Sequence, residues 1–283
     1  MSIASVGRRI ADIAASQWGM VTTAQARMHG VARTNLAHRV RTGELERTDH
    51  YGVYRLAAAP SSPLDDLRGA WLSTNPEALA PERTGVPRPD AVVASAAAAT
   101  VHGMGDVYPA PYQFIVPARR QSTRSSIAYS WRHLDARDIE VVDGLPTTTR
   151  ERTIVDLLED EGDHSIAADA LRDALRGEHH LDEPRLEELL APYANRLGQR
   201  VNDGTGALAY LMATAGTDAA TEAGRAVDRL LRSKTPAPGI EALLIRLIES
   251  HPAWAASVPS TAPHLADVMA ALPPRVPVTQ QLQ

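Results

Sequence analysis

GMVTTAQARMHGVARTNLAHRVRTGELERTDHYGVYRL, residues 19–56, sets the reading of the whole N-terminal region. Ahead of it, Val6, Ile10, Ile13 and Ala14 recur at helical spacing over Ile3 to Ala15, with Arg8, Arg9 and Asp12 between them. Trp18 and Gly19 stop that helix, and Met20-Val21 suits a short strand. Thr22 or Thr23 can cap a second helix from Ala24 to Met28, because a hydroxyl accepts from a free N-terminal N–H. Gly30 supplies a turn that needs positive φ. A third helix is expected from Ala32 to Arg41. Ala32, Leu36 and Val40 would face inward, Arg33, Asn35, His38 and Arg39 outward, and Gly43 would follow as the C-terminal stop.

Two β runs come next, Leu45–Arg47 and Val53–Leu56, around a turn at Tyr51-Gly52. Helix, helix, Gly turn, helix and hairpin is the plan of a winged helix-turn-helix. In that plan the third helix enters the major groove and its N-terminal residues meet base edges. The fork of Arg33 or Arg39 suits guanine or phosphate, and Asn35 suits adenine. Arg47 and His50 on the wing would reach the backbone or the minor groove. Replacing Arg39 by alanine is expected to weaken specific binding.

Charge agrees with this reading. Residues 1–58 carry a net +4, the 283-residue chain carries −5, and residues 59–283 therefore carry −9. A basic head on an acidic body suits a binder that neutralises phosphates. The chain has no cysteine, which excludes disulfides and thiolate chemistry. No apolar run approaches a membrane span, and charges interrupt the N-terminus where a signal peptide would need an apolar stretch. A soluble, cytoplasmic protein is expected.

Beyond the head, Ala57–Pro63 reads as a linker, Leu64–Leu72 as a short helix and Asn75–Pro89, with four prolines, as an exposed loop. A strand at Ala91–Ala94 leads into a small-residue helix, Ser95–His102. Strands are expected at Tyr112–Val116, Ile127–Arg132 and Ile139–Val142. After the Asp143-Gly144 turn, Thr148 with Glu151 fits a capping box for a helix with Ile154, Val155, Leu157 and Leu158 on its buried face. Between Val116 and His133 lie Arg119, Arg120, Arg124 and Arg132 with no acid. Two readings stand side by side: a second nucleic-acid contact, or a solvated hairpin loop. Further helices are expected at 165–176, 183–190, 206–215, 218–231 and 239–249, before a Pro-rich tail from Pro252.

The fold class is therefore α+β, in three parts. Residues 1–58 form a winged helix-turn-helix and 64–160 a central α+β domain. Residues 161–283 form a mainly helical C-terminal region.

Three phrases in order resemble the AbiEi antitoxins of type IV toxin–antitoxin systems: the head of residues 19–56, AVVASAAAATVHGMGDVYP at 91–109 and VVDGLPTTTRERTIVDLL at 141–158. The resemblance covers roughly residues 1–160. It implies an autorepressor that binds inverted repeats in double-stranded DNA upstream of its own operon and counteracts a nucleotidyltransferase-like toxin encoded next door. Carried onto this chain, it makes Arg33, Thr34, Asn35, His38 and Arg39 the expected base and phosphate contacts. The alternative is a stand-alone winged-helix regulator whose C-terminal region binds a protein or ligand.

Enzyme readings fail on the residues present. A metal-dependent nuclease of the PD-(D/E)xK kind needs a lysine beside its acids, and the only lysine, Lys234, has no Glu two residues before it. Glu178-His179-His180 lacks the spacing of a metal site, and the acidic run Glu159–Asp163 reads as a solvated helix end. NDGTGA at 202–207 lacks the Lys-Ser/Thr of a phosphate loop. No catalytic residue, metal or cofactor is expected.

Overall fold

A computed structural model describes residues 3–177 and 181–216. The helices expected at 218–231 and 239–249, the Pro-rich tail, Lys234 and Glu178-His179-His180 lie outside the described residues. The chain divides into two compact units, 1–207 and 208–283. The boundary falls within the helix Gly204–Thr214, and 208–216 is the described part of the second unit. The first unit holds the N-terminal head and a central sheet.

The head runs α1 (Ile3–Ala15), β1 (Met20–Thr22), α2 (Thr23–Met28), α3 (Arg33–Arg41), β2 (Leu45–Arg47) and β3 (Val53–Leu56). Its sheet is antiparallel in the order β1-β3-β2, with Thr22 opposite Val53 and Arg47 opposite Tyr54. This is the winged-helix arrangement. Thr22 is the cap of α2: its hydroxyl accepts from the Gln25 N–H and the Gln25 side chain accepts from the Thr22 N–H, both at 3.0 Å. Val6, Ile10, Ile13, Val21, Ala26, Val31, Leu36 and Leu45 fill the core between helices and wing. Ala32, expected inside, is exposed at the N-cap of α3, and Val31 occupies the buried place instead.

The central part begins with α4 (Asp65–Thr74) and α5 (Ala80–Thr84). The expected exposed loop at 75–89 is therefore partly a helix, and it is tied down. The Gln25 amide donates to the Ala78 carbonyl at 2.8 Å, the Ala80 N–H donates to Gln17, and Thr22 donates to the Pro76 carbonyl. Prolines remove backbone donors, and Thr22 and Gln25 donate to two of the carbonyls that remain.

A five-stranded sheet follows, from β4 (Val92–Ala94), β5 (Tyr112–Val116), β6 (Ile127–Trp131), β7 (Ile139–Val142) and β8 (Leu145–Thr148), in the order β6-β5-β4-β8-β7. Strand β4 is parallel to β8 and antiparallel to β5, while β7 and β8 pair as a hairpin. Strand β5 lies parallel to β6, Tyr112 opposite Ile127 and Val116 opposite Trp131. The arginine-rich segment 117–126 is thus a crossover that returns along the strand, not a hairpin loop.

Helix α6 (Ser95–His102) packs on β4, β5 and β8, and α7 (Arg150–Asp160) packs on α6. Helices α8 (His164–Arg176) and α9 (Glu183–Leu190) pack in turn on α7, and α10 (Gly204–Thr214) closes the described chain. The cap of α7 is Thr149, whose hydroxyl accepts from the Arg152 N–H. The expected Thr148 belongs to β8, where its hydroxyl meets that of Thr153, and Glu151 turns inward to accept from the Asp182 N–H at 2.7 Å.

Head and sheet share one core. Met20 and Val53 of the head are buried with Leu67, Trp71, Val93, Phe114 and Leu145. Gly144 adopts φ +81°, and a Cβ there would lie 2.9 Å from the Trp18 ring, so the β7–β8 turn closes against the head only because it is glycine. The Trp18 indole donates to the Asp143 carbonyl at 3.1 Å in the same turn.

Candidate nucleic-acid interface

Helix α3 carries Leu36 inward, while Arg33, Thr34, His38 and Arg41 are exposed and Asn35 is half-buried. Its first turn, with Arg33 and Thr34, is unobstructed by any side-chain cap. The wing brings Arg47 to the same side, its guanidinium 5.9 Å from the centroid of the Tyr54 ring.

Two expected contacts face the other way. Arg39 is 7 % exposed and donates to Glu44, which also accepts from the Thr42 hydroxyl. It fits because α1 carries Gly7, where a Cβ would stand 3.0 Å from the guanidinium. His50 is 3 % exposed. Its Nε2 lies 3.0 Å from Asp66 Oδ1 on α4, and its ring sits over Gly69, where a Cβ would be 3.0 Å from Cδ2. Asp66 also accepts from the Tyr112 hydroxyl at 2.8 Å. Burial, reinforced by that hydrogen bond, pushes the Tyr112 hydroxyl well above its ordinary range and keeps it a donor. Arg39 and His50 are therefore struts of the head. The signal that finds them is the pair of mid-helix glycines, each an unfavourable helix residue placed where a long side chain enters.

The crossover arginines divide. Arg119 is exposed. Arg120 lies 4.9 Å from the Tyr129 ring centroid and donates to the Thr74 carbonyl. Arg124 donates to the Ser73 hydroxyl at 2.6 Å and to the Ser73 carbonyl at 3.4 Å. Arg83 of α5 joins them, 3.6 Å over the Trp71 ring, donating to the Trp71 carbonyl at 2.9 Å and to Asp90. Burial pulls the Arg83 guanidinium down from its usual range, with Asp90 opposing. The last carbonyls of a helix lack intrahelical partners and carry partial negative charge. Three arginines supply those partners for α4. Arg132 is used differently, between Asp156, Glu159 and Asp160 of α7. The acidic run is thus partly an arginine clamp, and Asp163 caps α8.

One cleft of about 510 Å³ gathers what remains. Arg27 of α2, Arg33 of α3, Arg47 of the wing and Arg124 of the crossover line it, with Asp49 as the single acid and Tyr51 exposed at its rim. Arg27 is not among the residues the sequence pointed to. It stands on α2 just before the Gly30 turn, and it makes an exposed 3.3 Å pair with Glu77.

Residues 8–57 match the family described as transcriptional regulator, AbiEi antitoxin. The match spans the head from α1 through the wing, and Ser73, Pro76 and Arg124 beyond the matched segment complete the lining of the cleft. A crystal structure of the RV2827C protein from Mycobacterium tuberculosis is similar over 76 % of this chain and 82 % of its own, at 20 % identity and a TM-score of 0.44. No match is found among curated proteins.

No three His, Asp or Glu side chains converge as metal ligands among the described residues. Burial pushes the Asp156 carboxyl up to about 6, but Arg152 and Arg132 hold it at 2.7 and 2.9 Å with no exposed surface for a substrate. Among the described residues no helix is long and apolar enough to cross a membrane.

Proposed function

We propose that this protein is a cytoplasmic, DNA-binding autorepressor and the antitoxin of a type IV, AbiE-like pair, counteracting a nucleotidyltransferase-like toxin without catalysis of its own. The observation that carries the reading is the open N-terminal turn of α3, with Arg33 and Thr34 exposed beside Arg47 of the wing. In the proposed complex Arg33, Thr34, Asn35 and His38 read a half-site in the major groove, and Arg47 fixes register on the backbone. An inverted repeat would place two copies of the chain on one operator.

Fluorescence anisotropy on double-stranded DNA from immediately upstream of the gene, against a scrambled duplex over a salt series, tests the regulator. Preference for the upstream DNA, with affinity falling as salt rises, is expected; equal weak binding to both would end the reading. The antitoxin half is tested by co-expression with the neighbouring nucleotidyltransferase-like gene. Growth should be restored only when this protein is present. If it is not restored, the stand-alone regulator takes its place.

A further inference from the structure

The cleft at the base of the wing contains more positive charge than the head alone supplies. Arg124 reaches it from the central sheet's crossover, outside the segment that matches the regulator family. Among the described residues Arg33, Arg47 and Arg124 have no acid within ion-pair distance, and Asp49 is the one carboxylate in the lining. Four arginines against one carboxylate leave the lining net positive, and an anion that enters is attracted. The backbone that carries the wing arginine and the side chain of Arg124 are also held in place. The wing tip is pinned to α2 by the Thr23 N–H donating to the Gly52 carbonyl at 2.8 Å, and to α4 by His50 and Asp66. Arg124 is oriented by Ser73, which engages two of the five N–H donors of a guanidinium and neutralises none of its charge.

From this geometry we infer that the cleft is a phosphate clamp: it grips a DNA backbone phosphodiester between α3 and the wing, and Arg124 closes it from the central domain. The inference rests on the DNA-binding reading above and extends it beyond the winged helix. Arg124, already oriented by Ser73, needs little ordering on binding. A phosphate contact fixes position without reading sequence, so Arg124 adds affinity to every duplex alike. The part that recognises sequence then stays on α3.

The test uses the full chain and the same upstream and scrambled duplexes. For Arg124→Gln the slope of log affinity against log salt should become shallower by about 0.9, the loss of one phosphate contact. Affinity should fall by a similar factor on both duplexes, so their ratio holds. Arg124→Lys keeps the charge and should keep the wild-type slope. Wild-type slope and affinity in Arg124→Gln would overturn the clamp while leaving the regulator intact. Loss confined to the upstream duplex would overturn it too, because that marks a base contact. No DNA binding by the wild-type chain would overturn both. Should Arg124→Gln fail to fold, a second route is open because the chain has no cysteine. Thr123→Cys, on the exposed crossover, should attack an activated disulfide tethered to a backbone phosphate, joining protein to DNA through a mixed disulfide and releasing the activating thiol. Val141→Cys, exposed on the edge strand β7, should not. Equal capture at both positions, or none at residue 123, would overturn the proposal.

Discussion

Arginine is used in two opposed ways within a short distance of the cleft. At the end of α4, Arg83 and Arg120 aim at main-chain carbonyls, and Arg83 is buried under its partners, while Arg124 is braced on Ser73 and also lines the cleft. On α3 and the wing, Arg33 and Arg47 point into the open and have no carboxylate partner among the described residues. The difference lies in what each neighbourhood lacks. A helix ending against a packed sheet has carbonyls that water cannot reach, and a long cationic donor satisfies them. A helix whose first turn faces solvent has no such need, so its cations remain available. Charge counted along the sequence does not separate these uses; the surroundings do.

The contrast can be broken in several ways. Arg83→Leu should be the most damaging change. It strips hydrogen bonds from the Trp71 carbonyl and Asp90 and removes the stack on the indole, so urea unfolding should lose about 3 kcal/mol. DNA affinity of the folded fraction should stay put; a large affinity loss at unchanged stability would mean the α4 arginines are not caps. Arg33→Ala should do the reverse. About 1–3 kcal/mol of upstream-DNA affinity should go, with the unfolding free energy changed by no more than about 0.5 kcal/mol.

Arg39→Ala sharpens the boundary between the two classes, because it lies on α3 yet belongs with the buried set. Stability should fall by about 1–2 kcal/mol as its bond to Glu44 and its packing beside Gly7 are lost, and anisotropy should show operator affinity unaltered. Selective loss of DNA binding would return Arg39 to the reading surface.

The smallest effect concerns a buried cation that is avoided. His102 lies at the end of α6 with Nε2 2.7 Å from the Thr148 carbonyl, while Nδ1 has no partner. Burial lowers its pKa, which fits a neutral ring donating through Nε2. A base depressed in the folded state contributes stability above its unfolded value near 6.5. That contribution is lost as pH falls toward the folded value. Between pH 7 and pH 6 the loss is at most about 0.7 kcal/mol. His102→Gln should flatten that slope in urea titrations at the two pH values; an identical slope would remove His102 as its source.

Much of the head is legible in the sequence because its signals are local. The strand limits of β2 and β3, the cap at Thr22 and the turn at Gly30 all follow from residues within a few positions of one another. Arg39 is misjudged from sequence because a helical pattern treats every polar residue as outward. Its position three after Leu36 puts it on the rim of the buried face, and Gly7 and Glu44, distant or irregular in the helical pattern, help turn it in. His50 depends likewise on Gly69, which lies in another element. The β5–β6 connection is short enough to suggest a hairpin. Its parallel course is set by pairing across the sheet, which no local pattern encodes. The cleft is half visible: Arg33, Arg47 and Arg124 are candidates separately, but nothing in the sequence says that the crossover reaches the wing.

The shared burial of Met20 and Val53 with Trp71 and Phe114 has a consequence for engineering. A head cut out at residue 58 would carry away α3 but leave an apolar scar where the sheet had been. It is not a cassette to be grafted onto another effector unchanged. A chimera builder would have to keep α4 as a cover, or repaint Met20 and Val53 with polar residues, before asking the fragment to dissolve.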